Sequence, residues 1–425
     1  MRFYHFLWAY ASACLCRFPS RKMIIIGVLG TRGKTTTANL IWSGLKEAGY
    51  KVGLTSTANI RVGDEERLND YHMTMPGRFV IQKLLLEMYE KGCTYAIIET
   101  PSEGIEQWRH AGIAYDELVL ATLYPEYLET HNWSWERAIE MNLRVFTALR
   151  GSIRKIIEGK SVPKSIVINT DNKEAEFFLK FLTDKKITYG IKTKADFVAR
   201  DIEIKNKNIF FTVGEEKYEL GISGLFNVYN ALGAIASLTA LGISQEAIKR
   251  GLCNLKGVPG RMEEIRAGQD FTVFVDYAHD EKSLESLLEA TRNMRKGGEK
   301  IILVLGAEGG GRDKKKRSVM GELAVKMADR VVITNVDPYD DDPKEILYDI
   351  AYGALKTGGV QGENLFVIED RREGIRKALE LASRGDIVLI TGKGAEQSMI
   401  IKDRKIEWDD RLVTRLEIKR IVKNT

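Results

Sequence analysis

Residues 22–37 read KMIIIGVLGTRGKTTT. The first five, residues 22–26, form a short β-branched apolar run that predicts a buried strand. A glycine-rich series follows, with the spacing G-x-x-G-T-x-G-K-T, and an apolar helical pattern occupies residues 38–48. A strand, a glycine turn, a Lys-Thr pair and a helix in this order predict a phosphate-binding loop.

The residues of this loop suit a nucleoside triphosphate. Glycines let backbone N–H groups close around phosphate oxygens, and the N-terminus of the following helix favours negative charge. We expect Lys34 to bridge the terminal phosphates, and Thr35 or Thr36 to ligate Mg²⁺. The residues predicted to bind ATP here are Gly30, Thr31, Arg32, Gly33, Lys34, Thr35 and Thr36.

Length, net charge and cysteine content limit the classes of protein to which the chain can belong. A chain of 425 residues has room for two or three domains. Its formal net charge of +5 is small and not concentrated, which argues against a nucleic-acid partner. The cysteines, Cys14, Cys16, Cys93 and Cys253, are too few and too scattered for a disulfide framework or a four-thiolate zinc site. These features predict a protein of the reducing cytoplasm.

Strand-like and helical runs alternate along the chain, which predicts an α/β fold with helices covering parallel sheets. The strand-like runs are residues 24–28, 95–99, 118–122, 165–169, 301–305, 330–334 and 387–391. Residues 201–220 alternate apolar and polar side chains and predict an antiparallel hairpin. A Pro-Gly turn before residue 261 predicts a boundary, giving an N-terminal segment 1–22, an ATP-binding domain 23–261 and a C-terminal domain 262–425.

The N-terminal segment is apolar and aromatic. Residues 3–15 read FYHFLWAYASACL, which is too short to span a bilayer. Two interpretations stay open. One is a helix packed on the surface of the protein itself, and the other is peripheral contact of residues 3–16 with a membrane, with Tyr4, Trp8 and Tyr10 at the depth of the headgroups.

An ordered series of further motifs resembles the ATP-dependent Mur ligases, most of all the branch that adds the third amino acid of the peptidoglycan stem peptide. The motifs are TST at 55–57, TMP at 74–76, IIE at 97–99, GLFNVYNA at 224–231, GVPGR at 257–261, DYAH at 276–279, GGGRDK at 309–314, TNVDP at 334–338 and GKGAE at 392–396. The resemblance runs from about residue 23 to the C-terminus. It implies a P-loop-type parallel-sheet ATPase domain followed by a Rossmann-like α/β domain, with ATP in the cleft between them.

The resemblance also implies roles for single residues. Glu99 is implied to ligate Mg²⁺ together with Thr35, Asn230 to contact adenine, and Asp276 to contact ribose. Arg261 and His279 are implied to act at the phosphate end. The implied catalytic residues are Lys34, Glu99 and His279.

The chain also departs from the family pattern. The loop begins near residue 27, so the family's preceding UDP-sugar domain is expected to be missing. Residues 101–103 read PSE where the family has Ser-Ser-His, Tyr127 takes the place of a metal-ligating His, and Asn142 that of a carbamylated Lys. The replacements considered for the missing ligand are Glu126, Glu129 and His131. The diaminopimelate-selecting Asp-Asn-Pro-Arg is VDPY at 336–339, without the Arg that grips a carboxylate.

These observations predict a Mg²⁺- and ATP-dependent ligase that activates a carboxylate as an acyl phosphate and joins it to an amine. The expected partners are an amino acid and a muramyl-peptide-like acceptor, so the predicted process is cell-wall precursor synthesis. Two alternatives remain. One is an ATP-binding module that no longer ligates, and the other is a ligase that acts on a lipid-linked or other acidic peptide.

Overall fold

Two mainly parallel sheets organise the two halves of the chain. The computed structural model describes residues 2–71, 73–125, 134–205 and 208–424. The chain forms two units, Met1–Lys256 and Gly257–Thr425. The domain limits predicted at residues 22 and 261 stay predictions.

The first unit alternates strands and helices before it ends in an antiparallel extension and two helices. Its helices are α1 (Arg2–Leu15), α2 (Lys34–Glu47), α3 (Arg78–Glu90), α4 (Ser102–Glu106), α5 (Trp135–Gly151), α6 (Ala175–Leu179), α7 (Asn227–Ala240) and α8 (Gln245–Asn254). Its strands are β1 (Ile24–Leu29), β2 (Val52–Thr55), β3 (Asn59–Val62), β4 (Glu65–Leu68), β5 (Tyr95–Glu99), β6 (Glu117–Leu120), β7 (Ile156–Ile157), β8 (Lys160–Ser161), β9 (Ser165–Asn169), β10 (Lys185–Gly190), β11 (Phe197–Lys205), β12 (Asn208–Val213) and β13 (Glu216–Leu220).

The sheet of this unit has the order β13-β12-β11-β10-β9-β6-β1-β5-β2-β3-β4 over the described residues. The strands from β11 to β2 pair in parallel, and antiparallel strands extend the sheet at both ends. β1 lies in the middle because its residues are apolar on both faces, as a strand covered by helices on both sides requires. The predicted hairpin within 201–220 is confirmed by the antiparallel pairs β11–β12 and β12–β13.

The second unit repeats the plan on a smaller scale. Its helices are α9 (Glu281–Arg292), α10 (Lys315–Met327), α11 (Pro343–Lys356), α12 (Arg371–Glu380) and α13 (Asp410–Asn424). Its strands are β14 (Glu263–Glu264), β15 (Thr272–Val275), β16 (Ile301–Leu305), β17 (Arg330–Ile333), β18 (Leu365–Val367), β19 (Ile387–Ile390), β20 (Ser398–Ile401) and β21 (Arg404–Glu407). The main sheet has the order β14-β15-β19-β16-β17-β18, parallel except at β14.

The predicted fold class is therefore confirmed: a P-loop-type parallel sheet in the first unit and a Rossmann-like α/β arrangement in the second. Most of the predicted strands end within a residue or two of the observed ones. Among the described residues, no helix has the length and apolar character needed to cross a bilayer.

Helix α2 carries the phosphate-binding loop at its N-terminus and packs closely on α8. A Cβ added at Gly251 of α8 would lie 2.5 Å from Cα of Gly44 in α2. The hydroxyl of Ser43 donates to the Gly251 carbonyl oxygen at 2.8 Å. The backbones of the two helices therefore touch, and only glycine fits at the crossing.

We expect Gly251→Ala to destabilise the first unit, because its methyl group meets backbone rather than a movable side chain. Overpacking of this kind costs about 1–3 kcal/mol. Urea titration of the full chain would measure the loss of unfolding free energy. Gly151→Ala is the control, because a Cβ at Gly151 meets nothing within 4 Å. Equal stability of the two variants would contradict the close crossing.

His110 lies buried beside α1, stacked on Trp108 with ring centroids 5.7 Å apart. Its Nδ1 is buried and has no hydrogen-bond partner among the described residues. Burial first, and then the positive charge of Arg144, lower the pKa of His110 to about 4. The folded protein therefore keeps this imidazole neutral at neutral pH.

The lowered pKa predicts a loss of stability in acid. An unfolded histidine has a pKa near 6.5, so the unfolded chain binds this proton first as the pH falls. Between about pH 6.5 and pH 4 we expect this group to remove on the order of 3 kcal/mol of unfolding free energy. Urea titrations at several pH values would measure it. His110→Phe keeps the stacking and should lose this part of the pH dependence, and an unchanged profile would refute the assignment.

Candidate active site

The phosphate-binding loop follows β1 in the middle of the first sheet. Gly30 and Gly33 have φ values of +125° and +79°, which side chains with a Cβ rarely adopt. The backbone N–H groups of Thr31 and Arg32 donate to the Thr122 carbonyl oxygen at 2.9 and 3.2 Å. Thr122 follows β6, the parallel neighbour of β1. These two hydrogen bonds therefore hold the loop against the segment that follows β6.

Lys34, Thr35 and Thr36 form the first turn of α2. Lys34 Nζ donates to the carbonyl oxygen of Thr31 at 2.8 Å, so the ammonium group lies over the loop. Thr35 and Thr36 are buried. The guanidinium of Arg32 stacks over the Tyr124 ring, 4.7 Å from its centroid. The geometry brings the predicted phosphate-contacting residues together, while their roles toward ATP stay predictions.

Glu99 ends β5, the other parallel neighbour of β1, and is 2% exposed. The Thr35 hydroxyl lies 3.1 and 3.0 Å from its two carboxylate oxygens. Thr57, which follows β2, donates its backbone N–H to Oε2 at 2.8 Å, and its hydroxyl lies 3.0 Å from Oε1. The predicted pair Thr35 and Glu99 is therefore in direct contact. Thr57 completes the cluster and was not among the predicted site residues.

Asn230, from α7, lies against the loop. A Cβ at Gly33 would come within 2.1 Å of Asn230 Oδ1, so a side chain at Gly33 and this amide exclude each other. Asn230 Nδ2 donates to Oδ1 of Asn227 at 2.7 Å, which fixes the orientation of the amide. The structure thus places Asn230 beside the loop, whereas its contact with adenine stays a prediction.

The remaining predicted residues lie together in the second unit. Asp276 follows β15, and its carboxylate accepts the backbone N–H groups of Met262 and Ala278 at 2.7 and 2.8 Å. The guanidinium of Arg261 stacks over the Tyr277 ring, 4.3 Å from its centroid. His279 Nδ1 lies 2.7 Å from the Tyr277 carbonyl oxygen. Arg261, Asp276 and His279 therefore surround one short segment at the carboxyl end of β15.

Burial dominates the electrostatics of this segment. It raises the pKa of Asp276, against the opposing effect of the positive charge of Arg261. It also lowers the pKa of His279, although the Glu308 carboxylate acts in the other direction. His279 is therefore mainly neutral at neutral pH and able to accept a proton.

A buried ion-pair cluster lies at the same edge of the second sheet. Lys393 is fully buried, and its ammonium donates to Asp337 at 2.6 Å and to Glu396 at 2.7 Å. The Tyr277 hydroxyl donates to the other oxygen of Glu396 at 3.2 Å. Although burial opposes it, the charges of Glu396 and Asp337 raise the pKa of Lys393. The sequence motifs at 334–338 and 392–396 contained these residues, but not their contact.

Each of the two units matches a protein-family model. The model of the Mur ligase middle domain matches residues 28–238, and that of the Mur ligase glutamate ligase domain matches residues 260–394. A UDP-N-acetylmuramoyl-L-alanyl-D-glutamate–2,6-diaminopimelate ligase of Geobacillus thermodenitrificans (strain NG80-2) is 36% identical over 94% of this chain and 80% of its own.

The chain belongs to the Mur ligase family. A UDP-N-acetylmuramyl-tripeptide synthetase of Roseiflexus sp. (strain RS-1) is also 36% identical, over 92% of this chain and 78% of its own. A solved diaminopimelate ligase structure matches with a TM-score of 0.63 and 28% identity, over 94% of this chain and 79% of its own. A MurF ligase from Thermotoga maritima in complex with ADP shares the fold, with a TM-score of 0.66 and 17% identity, over 98% of this chain and 83% of its own.

As a Mur ligase the protein is an ATP- and Mg²⁺-dependent carbon–nitrogen ligase. Its residues fit the metal. Within the described residues, no group of three or more His, Cys, Asp or Glu side chains could hold an ion. Mg²⁺ in nucleotide enzymes needs no such cage, because it takes one or two protein oxygens and fills the other positions with phosphate and water. Glu99 and Thr35 supply oxygens of this kind.

The structure describes only some of the positions at which the sequence departs from the family pattern. Tyr127 lies outside the described residues, together with Glu126, Glu129 and His131. Asn142, in α5, is 4% exposed and donates Nδ2 to the Ala138 carbonyl oxygen at 2.8 Å. Its Oδ1 is buried and has no partner in the described part of the chain. Asn142 is thus a neutral, buried amide, and it supplies no negative charge to a metal.

The contacts of Glu99 predict how its amide variant behaves. Glu99→Gln keeps the shape but removes the charge, so the gain in ATP affinity from Mg²⁺ should fall by about tenfold or more. Calorimetric titration with ATP, in Mg²⁺ and in EDTA, would measure this gain. Glu90→Gln, at an exposed carboxylate ending α3, is the control. A gain equal to that of the native protein in Glu99→Gln would exclude Glu99 as a metal ligand.

Proposed function

We propose that this ligase joins an amino acid to a muramyl-peptide precursor of peptidoglycan, as the third residue of its peptide. The observation that carries the proposal is the cluster of Lys34, Thr35 and Glu99 at the loop. It lies within a chain that is 36% identical to a diaminopimelate ligase and to a tripeptide synthetase. Both relatives are named for this step of precursor synthesis.

The reaction proceeds in two steps. In the first, a carboxylate oxygen of the acceptor attacks the γ-phosphorus of ATP, the bond from that phosphorus to the bridging oxygen breaks, and ADP leaves with the electron pair. In the second, the amine nitrogen of the incoming amino acid attacks the acyl carbon and phosphate leaves. The nitrogen gives up a proton, and the products are an amide, ADP and phosphate.

In this proposal the first unit carries the phosphoryl transfer. The ammonium group of Lys34 stabilises the negative charge on the moving phosphoryl group, and positioning of this kind supplies most of the catalysis in such reactions. Glu99 and Thr35 would hold Mg²⁺, which would supply further positive charge there. The backbone N–H groups at the N-terminus of α2 hold the phosphates. Asn230 contacts adenine.

Residues of the second unit complete the proposed machinery. Asp276 contacts the ribose, and Arg261 and His279 act at the phosphate end. Burial lowers the pKa of His279, so its imidazole acts there as a neutral hydrogen-bonding group. These assignments follow the resemblance, and the shared location of the three residues around the segment at the carboxyl end of β15 supports them.

We propose that this protein binds its amino acid substrate differently from the way the relatives bind diaminopimelate. Tyr339 stands where the diaminopimelate-selecting motif has Arg, and its ring lies against Gly310. A phenol cannot form the paired hydrogen bonds by which a guanidinium holds a second carboxylate. The substrate is therefore proposed to be an amino acid that is not held by an arginine at this position.

We propose a cytoplasmic location, where ATP and nucleotide-linked precursors occur, with peripheral contact of residues 3–16 with a membrane. The exposed aromatic side chains of α1 support this contact. A lipid-linked acceptor is the second candidate substrate, favoured by the same observation.

Release of ADP and phosphate by the full chain, with acceptors and amino acids varied independently, tests the function. The acceptors should include nucleotide-linked and lipid-linked muramyl peptides. We expect turnover that requires one acceptor and one amino acid, and a loss of at least a hundredfold in Lys34→Ala, because the phosphoryl group then lacks its ammonium partner. Lys194→Ala, at an exposed lysine that lies outside the loop, is the control. Binding of ATP without turnover on any pair would instead support the module that no longer ligates.

A further inference from the structure

Helix α1 is apolar on two opposite sides, and the protein covers the inner side. The residues of the inner side are at most 1% exposed: Ala9, Ser12 and Ala13. A Cβ at Gly112 would lie 2.7 Å from Cβ of Ala13, so the helix approaches this backbone closely. The Phe6 ring contacts the Trp108 ring edge to face, with centroids 5.3 Å apart. The helix is therefore docked on the first unit.

The outer side of α1 is equally apolar but open to solvent. Tyr4, Leu7, Trp8 and Leu15 are 60%, 50%, 51% and 71% exposed. Spacings of three, four and seven residues place them, together with the exposed Ala11, along one side of the helix. We call these five residues the outer stripe. Soluble monomers seldom expose a continuous apolar stripe unless it binds something.

Positive charge follows the outer stripe in the sequence. Arg17, Arg21 and Lys22 follow the helix directly and are exposed. The first acidic residue of the chain is Glu47, so no carboxylate within the N-terminal segment offsets these charges. An apolar stripe that is followed in the chain by exposed cations is complementary to a bilayer with anionic headgroups. Two copies of the same surface would instead bring like charges together, which disfavours a symmetric dimer here.

The dimensions of α1 suit a position in the plane of the membrane surface. A helix of 14 residues is about 21 Å long, whereas the hydrocarbon core of a bilayer is about 30 Å thick. Trp and Tyr side chains prefer the boundary between headgroups and hydrocarbon, and the outer stripe contains Tyr4 and Trp8. The helix can therefore insert its outer side while the inner side stays packed on the protein.

We propose that the outer stripe, with Arg17, Arg21 and Lys22, binds the surface of membranes that contain anionic lipids. The inference deepens the location proposed above and rests on it. It does not depend on which amino acid or acceptor the ligase uses. Binding in this way holds the first unit at the membrane surface without unfolding or undocking α1.

Cosedimentation of the full chain with vesicles tests the proposal. One set of vesicles consists of phosphatidylcholine, and the other also contains phosphatidylglycerol. We expect binding to the anionic vesicles at least tenfold stronger than to the neutral ones, and weakened by added salt. The double variant Leu7→Glu with Leu15→Glu should bind at least tenfold more weakly, because both carboxylates would enter the interface.

Leu182→Glu is the matched control, because Leu182 is 70% exposed elsewhere on the same unit. It should bind vesicles like the native protein. Equal binding by all variants, or no binding by the native protein, would overturn the proposal. So would a native dimer that the double variant converts to a monomer, since a second copy would then cover the stripe.

ATP turnover without vesicles separates this proposal from the proposed ligase reaction. The double variant should keep the native rate, since its changes are confined to the outer side of α1. Vesicle binding without ligase turnover would leave the membrane surface standing and reject the ligase assignment. Turnover without vesicle binding would support the ligase assignment and overturn the proposed membrane binding.

Discussion

The buried carboxylate of Glu99 is the constraint on which the first unit depends. A carboxylate withdrawn from water costs several kcal/mol unless donors surround it. Here the donors come from Thr35, after β1, and from Thr57, after β2. They can meet Glu99 only because β5 lies between β1 and β2 in a parallel sheet, with all three carboxyl ends at one edge. The contact between Glu99 and the loop therefore requires this order of the strands.

The second unit also buries a charged side chain at the edge of its sheet, but there the charge is positive. Lys393 follows β19, and one of its carboxylate partners, Asp337, follows β17 two strands away. Between these strands lies β16, which is followed by Glu308. An ammonium group can stay fully buried there because the sheet brings carboxylates to it from other strands. In both units a buried charge that would be costly alone connects the carboxyl ends of different strands, and polar side chains collect at that edge.

Sequence patterns predicted the strands well where both sheet faces are buried. Residues 95–99, 165–169 and 301–305 were predicted with their observed limits, because a strand covered on both sides is a continuous apolar run. The strand predicted at 118–122 instead begins at Glu117 and ends at Leu120. Glu117 is fully buried, and its carboxylate accepts the hydroxyls of Ser165 and Ser237. Those partners lie far away in sequence, so no local pattern could place Glu117 inside the strand.

The same distinction applies to the site. The loop could be predicted because its glycines, Lys34 and Thr35 lie close together in sequence, with the spacing of a phosphate-binding motif. The contact of Thr57 with Glu99 depends on strand order, and so does the contact of Lys393 with Asp337. Spacing along the chain carries no information on either contact. The motifs identify candidate segments, and the order of the strands decides which of their side chains meet.

Helix α1 shows why local sequence left two interpretations open. Apolar residues occur all around the helix, which is the pattern both of a buried helix and of one at a membrane surface. The structure separates the two sides by size. Small residues such as Ala9 and Ala13 face the protein, where Gly112 allows a close approach, while Tyr4, Leu7 and Trp8 face outward. Close packing selects small side chains, and a membrane boundary favours large amphipathic ones. Packing on the protein therefore accounts for the inner side and orients the aromatic outer side outward, where the proposed membrane contact would form.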